Sequence, residues 1–280
     1  MQLILESPAL KTLVNLAIAE DISTGDITSD AIISNQINVK AYLIAKASGV
    51  VAGLPLADYI FKSIDQNINF KSLVKEGTFV SPKTKIAEIS GAYKSLLMAE
   101  RTVLNFVQRL SGIATETALY VAETKGTNTH ILDTRKTLPG YRALDKYAVK
   151  VGGGTNHRFG LYDMVMLKEN HIEVAGGITK AVLQVRKKVN SDIKIEVETK
   201  NLAEVQEAIN NQVDVIMLDN MALNTMREAV ILINGKAKVE ASGNMTLNRI
   251  ADVAATGVDF ISVGALTHSV SALDISMLIE

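Results

Sequence analysis

Hydrophobic positions change their spacing twice along the chain. Over residues 8–20 apolar side chains recur at helical spacing, with Leu10, Leu13, Val14, Ala17 and Ile18 on one stripe, which predicts an amphipathic helix. Residues 38–91 carry short β-like runs, VKAYLIAKASGVVAG and NFKSLVKEGTFVSPKTKIAEISG, punctuated by Gly, Pro and Ser-Pro. From about 95 to 124 the spacing is helical again. Leu97, Val103 or Leu104, Val107 and Leu110 mark the stripe, and Gly112 is the expected break.

Beyond residue 130 a unit repeats. Nearly all-apolar runs stand at 130–134, 164–168, 193–199, 213–220, 238–243 and 258–265. Runs of that length suit strands buried on both faces, as in a parallel sheet. Amphipathic stretches such as 201–212 and 245–257 separate them and read as covering helices. The ends of the last four runs are 21 to 23 residues apart, about one βα unit. Serial βα units predict either a closed barrel or a doubly wound sheet. No G-x-G-x-x-G opens a helix after a strand, which weighs against a dinucleotide fold.

Polar or glycine residues stand where these runs end. They are Asp133–Thr134–Arg135–Lys136, Lys168–Glu169–Asn170–His171, Glu198, Asp219–Asn220, Ser242–Gly243 and Gly264. Asp219, Asn220 or Ser242 singly reads equally well as a helix cap. Six strand ends behaving alike point instead to an enzyme with its site on one rim, where parallel-strand folds build theirs.

Composition narrows the chemistry. The chain has 280 residues, 48% hydrophobic and 21% charged, long enough for two domains or one large barrel. It has no Cys, which fits a reducing compartment and excludes thiolate catalysis and Cys-ligated zinc or iron–sulfur centres. Its opening stretch lacks a basic n-region and is interrupted by Glu6 and Pro8, and no 18 apolar residues run together. The expectation is a soluble cytoplasmic chain without a membrane partner. The net charge of −1 argues against a nucleic-acid partner.

That near-zero charge conceals a local cluster. The window 133–168 carries +4, from Arg135, Lys136, Arg142, Lys146, Lys150, Arg158 and Lys168 against three Asp. Arg142, Lys146 and Lys150 share one helix face and read as a solvated surface. Arg135, Lys136 and Lys168 sit at strand ends, poor places for cations unless an anion meets them. The Gly-rich string GGGTNHRFG at 152–160 brings His157 and Arg158 on a turn that could wrap an anion. Glu198 and Asp219 could hold a hard cation such as Mg²⁺, directly or through water, or pair with Arg135 or Lys136. The residues thus describe a cation-rich pocket for a small polyanion. A Walker A loop is absent, which weighs against P-loop chemistry.

At these residues the sequence resembles the quinolinate phosphoribosyltransferases. The strings are EDISTGDITSDAI (20–32), ERTVLNFVQRLSGIAT (100–115), the block from DTRKTLPGYR to MVMLKENHI (133–172), EVET (196–199), IMLDNM (216–221), EASGNMTLNRI (240–250) and VDFISVGALTHSVSALDISM (258–277). The molybdenum-transport-associated homologues share the TRKT and GGG…HR elements and are the alternative, with other pyridine-carboxylate phosphoribosyltransferases. Lys168–Glu169–Asn170–His171 favours the quinolinate enzymes. Residues 38–91 faintly resemble a biotinyl or lipoyl carrier, but no Lys stands in the required hairpin.

The resemblance implies an α/β fold. An N-terminal α/β sandwich domain (1–106, with a C-terminal return of about 267–280) would stand with an open, incomplete (β/α) barrel of parallel strands (107–266). It implies transfer of phosphoribosyl from phosphoribosyl pyrophosphate to quinolinate with decarboxylation, in de novo NAD biosynthesis, with Mg²⁺ as cofactor. Catalytic positions would be Lys136, Glu198 and Asp219, the two acids also serving the metal. Substrate would meet Arg135, His157, Arg158, Lys168, Ser242, Gly243 and Gly264. Arg101 would come from the partner subunit of a homodimer.

Overall fold

The computed structural model describes residues 1–34 and 36–280. In chain order the elements begin α1 (Gln2–Leu5), α2 (Pro8–Ile22), α3 (Ile27–Ile32), β1 (Asn38–Ala45), β2 (Gly49–Val50), α4 (Leu54–Ile64), β3 (Asn69–Ser72), β4 (Phe79–Val80), β5 (Lys85–Ala92) and α5 (Tyr93–Ala122). They continue β6 (His130–Leu132), α6 (Arg142–Val151), β7 (Val165–Leu167), α7 (Glu169–Ala175), α8 (Ile178–Arg186), β8 (Ile195–Thr199), α9 (Leu202–Asn210) and β9 (Val215–Asp219). The last are α10 (Leu223–Ile233), β10 (Lys238–Ser242), α11 (Leu247–Ala254), β11 (Phe260–Ser262), α12 (Ala265–His268) and β12 (Ile275–Ile279). All six apolar runs beyond residue 130 are strands, and both quoted covering stretches are helices.

Residues 1–118, 138–153 and 269–280 form one compact unit, and residues 119–137 and 154–268 a second. The division expected at 106/107 falls inside α5.

The first unit is built on a four-stranded antiparallel sheet in the order β12-β1-β5-β3, with β2 and β4 forming a small ribbon. β12 pairs with β1 from Ala41 opposite Ile279 to Ala45 opposite Ile275. In α2 the Ser7 hydroxyl accepts from the Leu10 N–H, Pro8 takes the first turn, and Leu10 and Val14 face the core.

Two expectations fail in this unit. Gly112 does not break α5, which runs unbroken for 30 residues. A Cβ at Gly112 would stand 2.2 Å from the carbonyl oxygen of Ser271, so glycine lets the returning chain lie against the helix. The face carrying Arg142, Lys146 and Lys150 is not a solvated surface. Lys150 is exposed, Arg142 is half-buried and Lys146 is buried, beside the fully buried Asp145. Packing decides this. Tyr141 stacks on Phe106 at 5.5 Å, and Arg109 grips Asp145 through Nε at 3.2 Å and Nη2 at 2.9 Å.

The second unit is a six-stranded parallel sheet in the order β6-β11-β10-β9-β8-β7. Successive strands are neighbours except that β6 pairs with β11, the last strand, and among the described residues does not pair with β7. A barrel would close at that seam, so this sheet is an open one. On β9, Val215, Ile216, Met217 and Leu218 are all buried, each stabilising the fold by about 1.5–3 kcal/mol. Burial on both faces explains why these strands read as unbroken apolar runs.

Candidate functional site

The strand ends line a cavity of about 600 Å³ in the second unit. Its wall includes Arg135, Lys136, His157, Arg158, Lys168, Glu198, Asp219, Ser242, Gly243 and Gly264, ten of the eleven residues singled out from sequence. Arg101 is not among them. It is exposed on α5, in the other unit.

Strand register sets the floor. Ser242 ends β10 directly beside Asp219 at the end of β9. Neither Asp219, Asn220 nor Ser242 caps a helix, since Ala222 and Thr246 occupy the cap positions of α10 and α11. Their polar groups are thereby left to the cavity. Gly243 has φ +91°, where a Cβ would lie 2.3 Å from Asn220 Oδ1. At Gly264 a Cβ would meet the Lys136 Cδ at 3.0 Å, so this glycine makes room for the lysine stem. Thr267 Oγ1 donates to the Lys136 carbonyl at 2.7 Å and steadies that backbone.

The cationic wall comes from the segment between β6 and β7. Asp133 is fully buried, and its Oδ1 accepts the His157 N–H at 2.9 Å, tying the Gly-rich loop to the end of β6. Asp163 accepts from the N–H groups of Phe159 (2.5 Å) and Gly160 (3.0 Å) and closes the loop's far side. The Arg158 guanidinium donates to the Met164 carbonyl at 3.0 Å. Burial, and then repulsion from Arg135, pull the Arg158 pKa below its ordinary value. Two guanidinium groups that repel one another in a cavity wall mark a place for an anion.

Acidic residues complete the site. Lys168 Nζ lies 3.3 Å from Glu198 Oε2, so Glu198 pairs across the cavity end rather than with Arg135 or Lys136. Asn220 Nδ2 donates to Asp219 Oδ2 at 3.1 Å. Glu198 and Asp219 are half-buried oxygen donors on adjacent strands, a donor set that suits a hard divalent cation.

Sequence reasoning overlooked two glutamates, Glu240, which lines the cavity, and Glu196, which lies behind it. His157 Nε2 lies 3.1 Å from Glu196 Oε2 and 3.2 Å from Glu240 Oε2, and both glutamates are buried. Among the described residues this is the one cluster of three His, Asp or Glu ligand atoms, all within 4.8 Å of one another. Burial pushes the imidazole pKa down, but the hydrogen bonds and charges of the two glutamates outweigh it and hold it at about 10. Burial, then the charge of Glu240, raises Glu196 to about 7. The available signal was an acid inside an otherwise apolar strand, in IEVET and KVEAS, where an unpaired charge would be costly.

Fold and site define an α/β enzyme with a cation-rich pocket at the carboxyl ends of its parallel strands. Family models describing the quinolinate phosphoribosyl transferase N-terminal and C-terminal domains match residues 26–111 and 113–278. The chloroplastic nicotinate-nucleotide pyrophosphorylase [carboxylating] of Arabidopsis thaliana is 46% identical, covering 97% of this chain and 83% of that protein. The probable counterpart of Synechocystis is 49% identical over 93% of this chain and 89% of its own. The solved NadC of Streptococcus pyogenes superposes with a TM-score of 0.94 at 40% identity, covering 97% and 96% of the two chains. The nicotinate-nucleotide pyrophosphorylase of Francisella tularensis gives 0.94 at 43% identity, covering 99% of each. The chain belongs to the quinolinate phosphoribosyltransferase family.

Proposed function

We propose that this enzyme transfers phosphoribosyl from phosphoribosyl pyrophosphate to quinolinate with loss of CO₂, giving nicotinate mononucleotide and pyrophosphate for NAD biosynthesis. The observation that carries the reading is the convergence of Arg135, Arg158 and Lys168 in one cavity wall with Glu198 and Asp219 in the same cavity. Quinolinate is a dicarboxylate. Two guanidinium forks and an ammonium supply charge-assisted donors for both carboxylates, and His157 stands beside them. Ser242, Gly243 and Gly264 offer small strand ends for phosphate oxygens, and Lys136 stands between the two ligands.

The chemistry follows from this division. The ring nitrogen attacks C1 of the ribose as the bond to pyrophosphate breaks. Positive charge develops on the ribose, and the Glu198 and Asp219 carboxylates stabilise it. Glu198 and Asp219 would also hold Mg²⁺, directly or through water, which when bound neutralises the leaving pyrophosphate. Once the ring nitrogen is quaternary, the C2–carboxylate bond breaks and CO₂ departs, and the electron pair left on C2, stabilised by the adjacent positive nitrogen, takes a proton from water.

The working unit is a homodimer in which Arg101 of one subunit completes the other's site. Its exposure on α5 supports this role. A cytoplasmic location is supported by the cysteine-free composition. Purified protein with Mg²⁺ and phosphoribosyl pyrophosphate is expected to convert quinolinate to nicotinate mononucleotide and CO₂. Consumption of nicotinate in place of quinolinate would overturn the reading.

A further inference from the structure

His157 is held at every polar atom it offers to the wall. Its backbone N–H donates to Asp133 Oδ1 at 2.9 Å, and its Nδ1 lies 2.6 Å from the Arg158 amide nitrogen. Its Nε2 lies between two carboxylate oxygens, 3.1 and 3.2 Å away. With carboxylates on that side, the Nε2 proton is directed at Glu196 and Glu240. That donor is therefore spent within the protein.

The placement of the two acids explains why both are needed. Glu196 is on β8 and Glu240 on β10, with β9 between them. In a barrel, alternate strands aim side chains into a shared interior layer. His157 belongs to the segment that follows β6 and precedes β7, where the sheet is open. Thr155 bridges the segment to Leu132 of β6, and an imidazole reaching both acids pins it to the interior of the sheet as well.

We infer that Glu196 and Glu240 are positioning residues for the anion-binding wall, holding His157 and through it the backbone of Arg158, so that recognition of the ligand's charge falls to Arg135, Arg158 and Lys168. The inference rests on the quinolinate reading of the same cavity. Glu196 is fully buried and is not among the residues lining the cavity, so it acts through the imidazole rather than on the ligand.

Two measurements test it. The chain has 4 His, so selective ¹⁵N-histidine labelling gives few signals, and His157→Gln assigns one of them. The inference expects a protonated Nε2 in the free protein, unchanged when quinolinate is added. An unprotonated Nε2, or an Nε2 signal that moves as quinolinate takes over its proton, overturns it. This measurement needs no folded glutamate variant and does not depend on turnover. In the second, Glu240→Ala is expected to weaken quinolinate binding by about tenfold or more while phosphoribosyl pyrophosphate binds within about twofold of wild type. Glu240→Gln, which keeps an oxygen facing Nε2, is expected to restore most of the loss. Unchanged quinolinate affinity in Glu240→Ala overturns the role, as does an equal loss for both substrates. Failure of the wild-type protein to use quinolinate would refute the functional reading alone, since the ring-nitrogen result stands apart from it.

Discussion

Asn220 occupies the space that a side chain at Gly243 would need. An added Cβ would stand 2.3 Å from its Oδ1 and 2.4 Å from its Cγ. The same Asn220 side chain donates to Asp219 Oδ2 at 3.1 Å and accepts from Asn244 Nδ2 at 3.1 Å. A glycine on one strand end thus determines how an acid on the next one is aimed.

Gly243→Ala is accordingly expected to damage catalysis more than folding. A non-glycine residue at φ +91° costs about 1–2 kcal/mol in backbone strain. The displaced Asn220 then releases Asp219, and we expect kcat/KM to fall by about 10² or more, since small misplacements at a reacting centre have that effect. Steady-state kinetics beside a thermal melt separates the two. A variant with normal kinetics and a lowered Tm would show that Asp219 needs no such support.

Arg135→Ala and Lys168→Ala each remove a charged donor from the wall. The expected loss is about 2–5 kcal/mol of transition-state binding, read as kcat/KM for quinolinate. Either variant retaining near wild-type kcat/KM has no part in substrate binding.

A site shared between subunits makes a statistical prediction. When Arg101→Ala and Lys168→Ala subunits are mixed and reassociated, half the dimers are hybrids, each with one intact site. Activity should recover to about a quarter of the wild-type level, although each parent is inactive. No recovery would place the complete site within one chain.

The pH dependence of stability follows from His157. Its pKa rises from 6.5 to about 10 on folding, so the native state holds this proton more tightly than the unfolded chain. The stabilisation is complete below about pH 6.5 and is lost as the pH climbs through about 10. Thermal melts across that window should show Tm falling with pH in the wild type and less steeply in His157→Gln. Parallel curves would mean that His157 is not protonated by its glutamates.

Much of this was legible in the linear chain because its signals are local. Apolar runs of four to eight residues announce strands buried on both faces, and βα periodicity announces a parallel sheet. Polar residues at strand ends announce the rim, and ten of the fourteen residues so marked line one cavity. Gly112 was misread because its reason for being glycine is Ser271, far away in sequence. Lys146 was misread because helical spacing tells which residues share a face but not what covers it.

The sequence by itself determined the parallel α/β class, the cluster of cations and the family resemblance. These depend on residue type and short-range spacing. Only the tertiary structure decided where the sheet is open, between β6 and β7, and that Glu198 meets Lys168. It alone showed that Glu196 and Glu240 converge on His157. Pairing of strands and burial of charge are set by contacts between residues tens of positions apart, and no local spacing encodes them.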